Sequence, residues 1–438
     1  MSRTATPSRP TVPSTMPTDA ERALLRRVEI GAIVLAALAA TLATALFFYR
    51  VALRPAAVDF TDFVAAGRYV LEHRARDPNS ILIRFLPSMD AVWALAAMMP
   101  IALAATLYMF SMAAVFALLL RLLQREFMPS VPIEFRRMVV ASAVLLGVVA
   151  IAAHIAIGAF HIAMVYFMLA GVLAATRGKW LLGGALLGMA ICIKLLPLLG
   201  VAYLLMKRRF AAAATAVVFA ALANGAISLV AYGPQRAMDA HRHWLAVGSR
   251  LDLDAVYSTG VGGHAQSARN QSLAGLIRRS LAPPAASTHR DEARDVAIVH
   301  ASSDVIRVVH RGAIAAIALG LLWYWRLPLG AMTQQRLVAE LSILSLATIW
   351  LSPVAWTYHF TAALPALAAI LGSRWERSAI KKVAVAGWLL GSVATASVLA
   401  RSLAVGLWAT VLLAIAVAWR TGDNVDASGE KPDRFDAM

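Results

Sequence analysis

The sequence predicts an all-α polytopic membrane protein of about twelve transmembrane helices, and three observations carry that reading. Hydrophobic residues fill 60% of the 438 positions and charged residues only 15%, too few to cover a water-soluble domain of this size. The apolar residues lie in many long runs, the pattern of repeated bilayer crossings. Basic residues gather in short clusters between those runs, as the positive-inside rule expects of cytoplasmic loops. The formal charge, 41 − 24 = +17, would suggest nucleic acid in a soluble chain. Here it follows the loops, and no nucleic-acid motif accompanies it. The single cysteine, Cys192, lies inside an apolar run, so no internal disulfide and no cysteine metal cage can form.

Taken in order, residues 1–28 form a Pro/Thr/Ser-rich tail ending in basic residues, expected to be disordered and cytoplasmic. The membrane domain occupies 29–420, and a polar cytoplasmic tail, 421–438, closes the chain. The run Ile30 to Tyr49 is long enough to cross and reads as a retained signal anchor. Residues 51–89 make a first extracytoplasmic loop. Apolar sequence returns from Ala91 to Leu120, and two more passes fit between Val139 and Thr176. The run Trp180 to Met206 has basic flanks at both ends, Arg177/Lys179 and Lys207/Arg208/Arg209. A hairpin of two short helices bent near Lys194 and Pro197 fits this pattern, because proline breaks the helical ladder; a single tilted helix is the competing reading. Ala211 to Tyr232 crosses again. Residues 233–303 form the largest polar loop, which holds five of the ten histidines. Passes follow at Val305–Trp325, Leu337–Leu351, Phe360–Leu371, Val383–Ala400 and Leu403–Trp419. Twelve passes place both termini inside.

The segment after the first pass is the most informative. In Val58 to Leu71, apolar or small residues at Phe60, Phe63, Val64, Gly67, Val70 and Leu71 recur at helical spacing, with Arg68 on the other side. This reads as an amphipathic helix on a membrane surface with Asp59 at its leading edge. The carboxylate there could cap the helix, the simpler reading, or act as a general base facing a pocket. Asp62, three residues on, is a second carboxylate on a similar face.

With basic clusters placed inside, Asp59, Lys194, Asn270 and His359 all emerge on the extracytoplasmic side. Lys194 is an ionisable group in apolar sequence, a functional candidate by default, or a lysine snorkelling from a helix end. Asn270 is a loop amide or, as Asn270-Gln271-Ser272, a glycosylation acceptor. His359 could equally start a helix within an aromatic belt of Trp350, Trp356 and Tyr358. Asp252-Leu253-Asp254 and His241-Arg242-His243 could bind a metal, but such short patterns are frequent in polar loops. His154 and His161, among apolar residues, read as satisfied packing histidines.

Together these stretches resemble glycosyltransferase family 87, membrane enzymes of the GT-C type that use polyprenyl-phosphate sugars as donors. The resemblance rests on Asp59-Phe60 through Gly67 after a first anchor, and on Lys194-Leu195-Leu196-Pro197 after a Gly/Ala-rich helix. It rests further on Asn270-Gln271-Ser272-Leu273 with Arg278 shortly after, and on Ser352-Pro353-Val354-Ala355-Trp356-Thr357-Tyr358-His359. It spans roughly Ile30 to Leu371. The family's last motif carries a second serine and a histidine pair; this chain has Ala355 and Tyr358 in those places.

The resemblance implies a GT-C-like bundle with extracytoplasmic loop helices in a bacterial inner membrane. It implies transfer of a hexose, mannose in the usual case, from a polyprenyl-phosphate donor to a lipid or glycan acceptor on the extracytoplasmic face, with inversion. Asp59 takes the base position, and Lys194, Asn270, Arg278 and His359 face the donor phosphate or sugar, with Asp62, Tyr358 and Trp356 behind them. No cofactor or metal is expected, since cationic side chains can take the metal's role. A transporter or lipid-linked-sugar flippase is the alternative, but the repeated halves that such folds show are not visible.

Overall fold

The computed structural model describes residues 19–55, 58–72, 85–248, 269–281, 296–373 and 379–419. Residues 1–18 of the predicted N-terminal tail, the predicted tail 421–438, and Asp252 to Asp254 lie outside the described residues; residues 19–28, expected to be disordered, are helical instead. Among the described residues the secondary structure is helical, with no strand. Backbone N–H and C=O groups in a membrane must be satisfied within the segment, which a helix does.

The first helix, α1 (Asp19–Leu53), starts about ten residues before the predicted pass and takes Arg22, Arg26 and Arg27 into its opening turns. It is followed by α2 (Asp59–Leu71), α3 (Pro87–Ala97) and α4 (Ile101–Glu126). The expected single pass from Ala91 to Leu120 is thus two helices. The break falls at Met98–Pro100, where Pro100 can only precede a new helix because it lacks an N–H. Next come α5 (Ile133–Leu146) and α6 (Val148–Ile157), bent by 65° at Gly147. α7 (His161–Thr176), α8 (Trp180–Ile193), α9 (Leu198–Met206), α10 (Phe210–Tyr232) and α11 (Pro234–His243) complete the first half. The second half holds α12 (Leu273–Leu281), α13 (Ser303–Tyr324) and α14 (Gln334–Trp350), then a 3-10 turn, Thr357–Ala363, running into α15 (Leu364–Leu371). It ends with α16 (Ala379–Ala394), α17 (Val398–Ser402) and α18 (Val405–Trp419).

Among the described residues, four helices are long and apolar enough to cross a bilayer: Arg22–Leu53 of α1, α4, α10 and α13, or five if the bent α5–α6 pair is one span. The remaining apolar helices are shorter, so helix lengths alone do not confirm twelve passes.

Trp180 to Met206 is a hairpin. α8 stops at Lys194, whose backbone is extended, and α9 restarts after Pro197. The Arg209 guanidinium, just past α9, donates to the Thr176 carbonyl at 3.0 Å, so both outer ends of the hairpin meet the end of α7. Lys194 therefore sits at the opposite tip. α8 is wedged between α7 and α10 by a face of small residues. A Cβ on Gly183 would lie 2.6 Å from Ala175 N, and one on Gly188 would lie 2.8 Å from the Ala216 carbonyl. Small residues permit that backbone approach in membrane bundles.

α14 is the central post, buried from Leu337 to Ile349. Its first half carries Glu340, fully buried and paired with Lys207 at 2.7 Å. Lys207 also donates to the Trp325 and Leu327 carbonyls, and Glu340 accepts from Tyr203 Oη and Arg336 Nε at 3.0 and 3.1 Å. A buried pair survives desolvation only when its remaining sites are satisfied in this way. One end of the hairpin is thus locked to the start of α14, and the other approaches the loop that follows its end.

An aromatic cluster seats α2. Phe63 stacks on Trp93 at 5.1 Å and 9°, and Phe60 meets Phe47, Trp93 and Tyr108 with centroids 5.2–5.8 Å apart. Tyr108 Oη donates to the Ala159 carbonyl at 2.7 Å. Two glycines make the fit possible. Gly158 turns the chain between α6 and α7 at φ 72°, and a Cβ there would meet Phe60 Cβ at 2.7 Å. At Gly67 a Cβ would lie 2.3 Å from the Trp93 backbone, too close for any rotamer adjustment to relieve. Gly67→Ala should therefore force α2 off α3, costing about 1–3 kcal/mol. The check is thermal unfolding of detergent-solubilised protein, with a fall in midpoint expected.

Candidate active site

The chain leaves α1 and re-enters a helix at Val58, which holds the N-cap position without a side-chain cap bond. Asp59 is the first helical residue, not the cap. Its carboxylate instead faces the Tyr358 hydroxyl, 299 positions later in the chain by numbering, whose donation favours the ionised form. The capping reading of Asp59 is therefore replaced: Val58 holds the cap position, and the 3-10 turn Thr357–Ala363 brings the Tyr358 hydroxyl to the carboxylate instead.

Asp59 is half-buried beside the aromatic cluster. Its carboxyl is raised to about 6, chiefly by desolvation; the Lys194 charge opposes that rise, the Asp62 charge adds to it, and the Tyr358 hydroxyl opposes it. Asp62, one turn along α2, is also raised by burial. A carboxylate with few waters holds a proton more tightly because its charged form is less well solvated.

Lys194 enters from the hairpin tip. Its Nζ lies 3.1 Å from His359 Nε2 and 5.9 Å from the Tyr358 ring centroid. The Tyr358 and His359 rings stack at 4.2 Å. Trp356 contributes its backbone N–H, which donates to His359 Nδ1 at 2.9 Å. With Nδ1 accepting, a neutral ring carries its proton on Nε2, toward Lys194. Asp59, Lys194, Tyr358 and His359, from three distant stretches, thus share one site, with Asp62 and Trp356 beside it.

Asn270 plays a different part. It is fully buried, and its Oδ1 accepts from the Ser272 and Ala355 amides at 3.1 and 3.0 Å while Nδ2 approaches the Pro353 carbonyl at 3.4 Å. Ser272 Oγ donates to the same carbonyl, and the Gln271 amide donates to the Ala355 carbonyl. The Asn-Gln-Ser segment therefore clips the Ser352–His359 loop in place. So buried an amide cannot serve as a glycosylation acceptor. Arg278 is half-buried on α12.

Sequence reasoning missed two residues here. Arg279, next to Arg278, is buried and donates to the Ser402 and Asn270 carbonyls at 2.9 and 2.8 Å. Two adjacent arginines give no sequence clue to which one turns inward. His161 was expected to be a satisfied packing histidine. It is fully buried against His359 with centroids 4.8 Å apart, and neither ring nitrogen meets a hydrogen-bond partner of good geometry. Its packing is real but its polar atoms are not satisfied, because α7 begins there, at the wall of the site. His154 does behave as expected, its Nε2 accepting the Ile162 amide at 3.2 Å. In the His241 triplet, both His241 nitrogens are engaged, one by Asn224 and one by the Ala237 carbonyl.

The model of glycosyltransferase family 87 matches residues 87–353, more than half of the chain. The chain belongs to glycosyltransferase family 87. The matched residues include Lys194, Asn270 and Arg278; Asp59, Asp62, Trp356, Tyr358 and His359 lie outside them. A relative in Mycobacterium tuberculosis, a polyprenol-phosphate-mannose-dependent alpha-(1-2)-phosphatidylinositol pentamannoside mannosyltransferase, is 26% identical over 226 residues. That alignment covers 52% of this family member and 44% of the relative, so the chain spans under half the length of the curated relative it matches. No solved structure matches.

Proposed function

We propose that this family 87 protein transfers a hexose, mannose first among candidates, from a polyprenyl-phosphate sugar to a hydroxyl of a lipid or glycan acceptor. The observation that carries this reading is the meeting of Asp59, Tyr358, His359 and Lys194 at the start of α2. An acceptor hydroxyl needs a base. Asp59, with a pKa near 6, is ionised at neutral pH yet basic enough to take a proton in the transition state. The leaving lipid phosphate gains charge and needs donors. An ammonium on Lys194 and an N–H on His359 Nε2, 3.1 Å apart, are both donors, so each is better satisfied by a shared anionic oxygen than by the other. Stabilisation of developing charge by fixed donors is the larger part of such catalysis.

Asp59 attacks nothing itself in this scheme: it removes the acceptor proton while the acceptor oxygen displaces the lipid phosphate in line, which inverts the anomeric centre. Asn270 holds the loop that presents Tyr358 and His359, and Arg278 adds positive charge from α12. The polyprenol-phosphate-mannose dependence named for the mycobacterial relative supports a polyprenyl-phosphate donor here. A bundle of about twelve passes with the site on the extracytoplasmic face accommodates these positions, because Lys194 lies at the hairpin tip away from the Lys207 end.

Purified protein given radiolabelled polyprenyl-phosphate mannose and membrane lipid extract should yield a labelled glycolipid or glycan. Folded protein that transfers sugar from no polyprenyl-phosphate donor would overturn the proposal.

A further inference from the structure

A second cavity runs along α1. This helix is about 50 Å long at 1.5 Å per residue, and its first turns stand far from Asp59. Between α1, α4 and the bent α5–α6 pair runs a cavity of about 550 Å³. Its walls are apolar and its α1 side is made of alanines, Ala36 and Ala40 among them, so the helices do not close upon it. It ends near His154 and Ile162 in one direction. In the other it reaches Glu29 and Arg137, which it shares with a polar hollow of about 330 Å³ lined also by Arg22, Arg26 and Glu134.

An apolar slot that leads to a charged mouth at one end of a membrane helix has the shape of a lipid, with a chain in the slot and a headgroup in the hollow. The charges select the headgroup. Three guanidiniums favour a phosphate, which arginine recognises with paired donors. Two carboxylates beside them would repel a purely anionic headgroup but would pair with an ammonium. We propose that this crevice binds a zwitterionic glycerophospholipid carrying a primary ammonium, of the phosphoethanolamine class. One acyl chain lies along Ala36 and Ala40, its phosphate is held by Arg26 and Arg137, and its ammonium by Glu29 and Glu134. The lipid is not a reactant in sugar transfer.

The test uses delipidated full-length protein incubated with equimolar phosphatidylethanolamine and phosphatidylglycerol of identical acyl chains, read by native mass spectrometry. Phosphatidylethanolamine should be retained over phosphatidylglycerol by about fivefold, the scale of one solvent-screened ion pair. The double variant Glu29→Gln/Glu134→Gln should reverse that order, since only the arginines remain. Ala40→Phe should remove the bound lipid by filling the slot, with Ala40→Leu as a milder filler if the first variant misfolds. Equal retention of both lipids, an unchanged order in the double variant, or undiminished binding in the filled variants would each overturn the proposal. So would displacement of the retained lipid by polyprenyl phosphate, which would make the slot part of the donor site.

Discussion

Asp59→Asn should reduce sugar transfer by about 10²–10⁴-fold, the usual contribution of a positioned general base, while the protein stays folded. The amide is isosteric with the carboxylate and can still accept from Tyr358, so the aromatic seat of α2 is undisturbed. Stability should hold or improve slightly. A carboxyl raised from 3.8 to about 6 binds more protons in the folded than in the unfolded chain between those values, so its contribution to stability falls as pH rises through that window. The Asn variant removes that burden. In the wild type, transfer should rise with pH through about 6, as the base loses its proton, and then level off. A rate profile flat from pH 5 to 8, or an Asn variant of near-normal activity, would exclude Asp59 as the base.

Lys194→Met should be nearly as damaging, lowering kcat by about 10²–10³-fold, as when one donor to a developing oxyanion is removed. It should also act on Asp59. The Lys194 charge lowers the Asp59 pKa, so its loss should move the rising limb of the pH profile to higher pH. Lys194→Arg should restore the limb's position more fully than the rate, because charge returns but the 3.1 Å approach to His359 is not reproduced. A Met variant slowed without any shift in the pH limb would separate Lys194 from the base and leave it acting on the departing phosphate alone. Transfer assays from pH 5 to 8 on the solubilised variants measure both effects.

The fold was legible where chemistry is local. The apolar runs announced α1, α10, α13 and α18 because the bilayer demands continuous hydrophobicity. Basic residues on both flanks of Trp180–Met206, with Pro197 inside, announced the hairpin, which the Arg209–Thr176 bond confirms. Helical spacing in Val58–Leu71 placed Asp59 at the start of α2. Gly147 and Pro100 spoke less clearly. A glycine bend and a short α3 depend on what packs beside them, so both were read as parts of continuous passes.

What the residues could not reveal by themselves is who touches whom. Tyr358 looked like a departure from the family pattern, yet in the folded protein its hydroxyl reaches Asp59 and its ring stacks on His359. Asn270 looked like a ligand group, and only the closeness of the Pro353–Ala355 backbone turns it into a clip. Glu340 and Lys207 gave no signal at all, because an ion pair between distant helices has no sequence period. Sequence by itself determined the helical class, the long apolar spans and the amphipathic helix that Asp59 begins, since each follows from hydropathy and spacing along one chain, while the role of base for Asp59 came from the family resemblance. Tertiary structure decided the proton affinity of that base and the partners of each polar group. Both depend on desolvation and on charges carried by segments more than a hundred residues away.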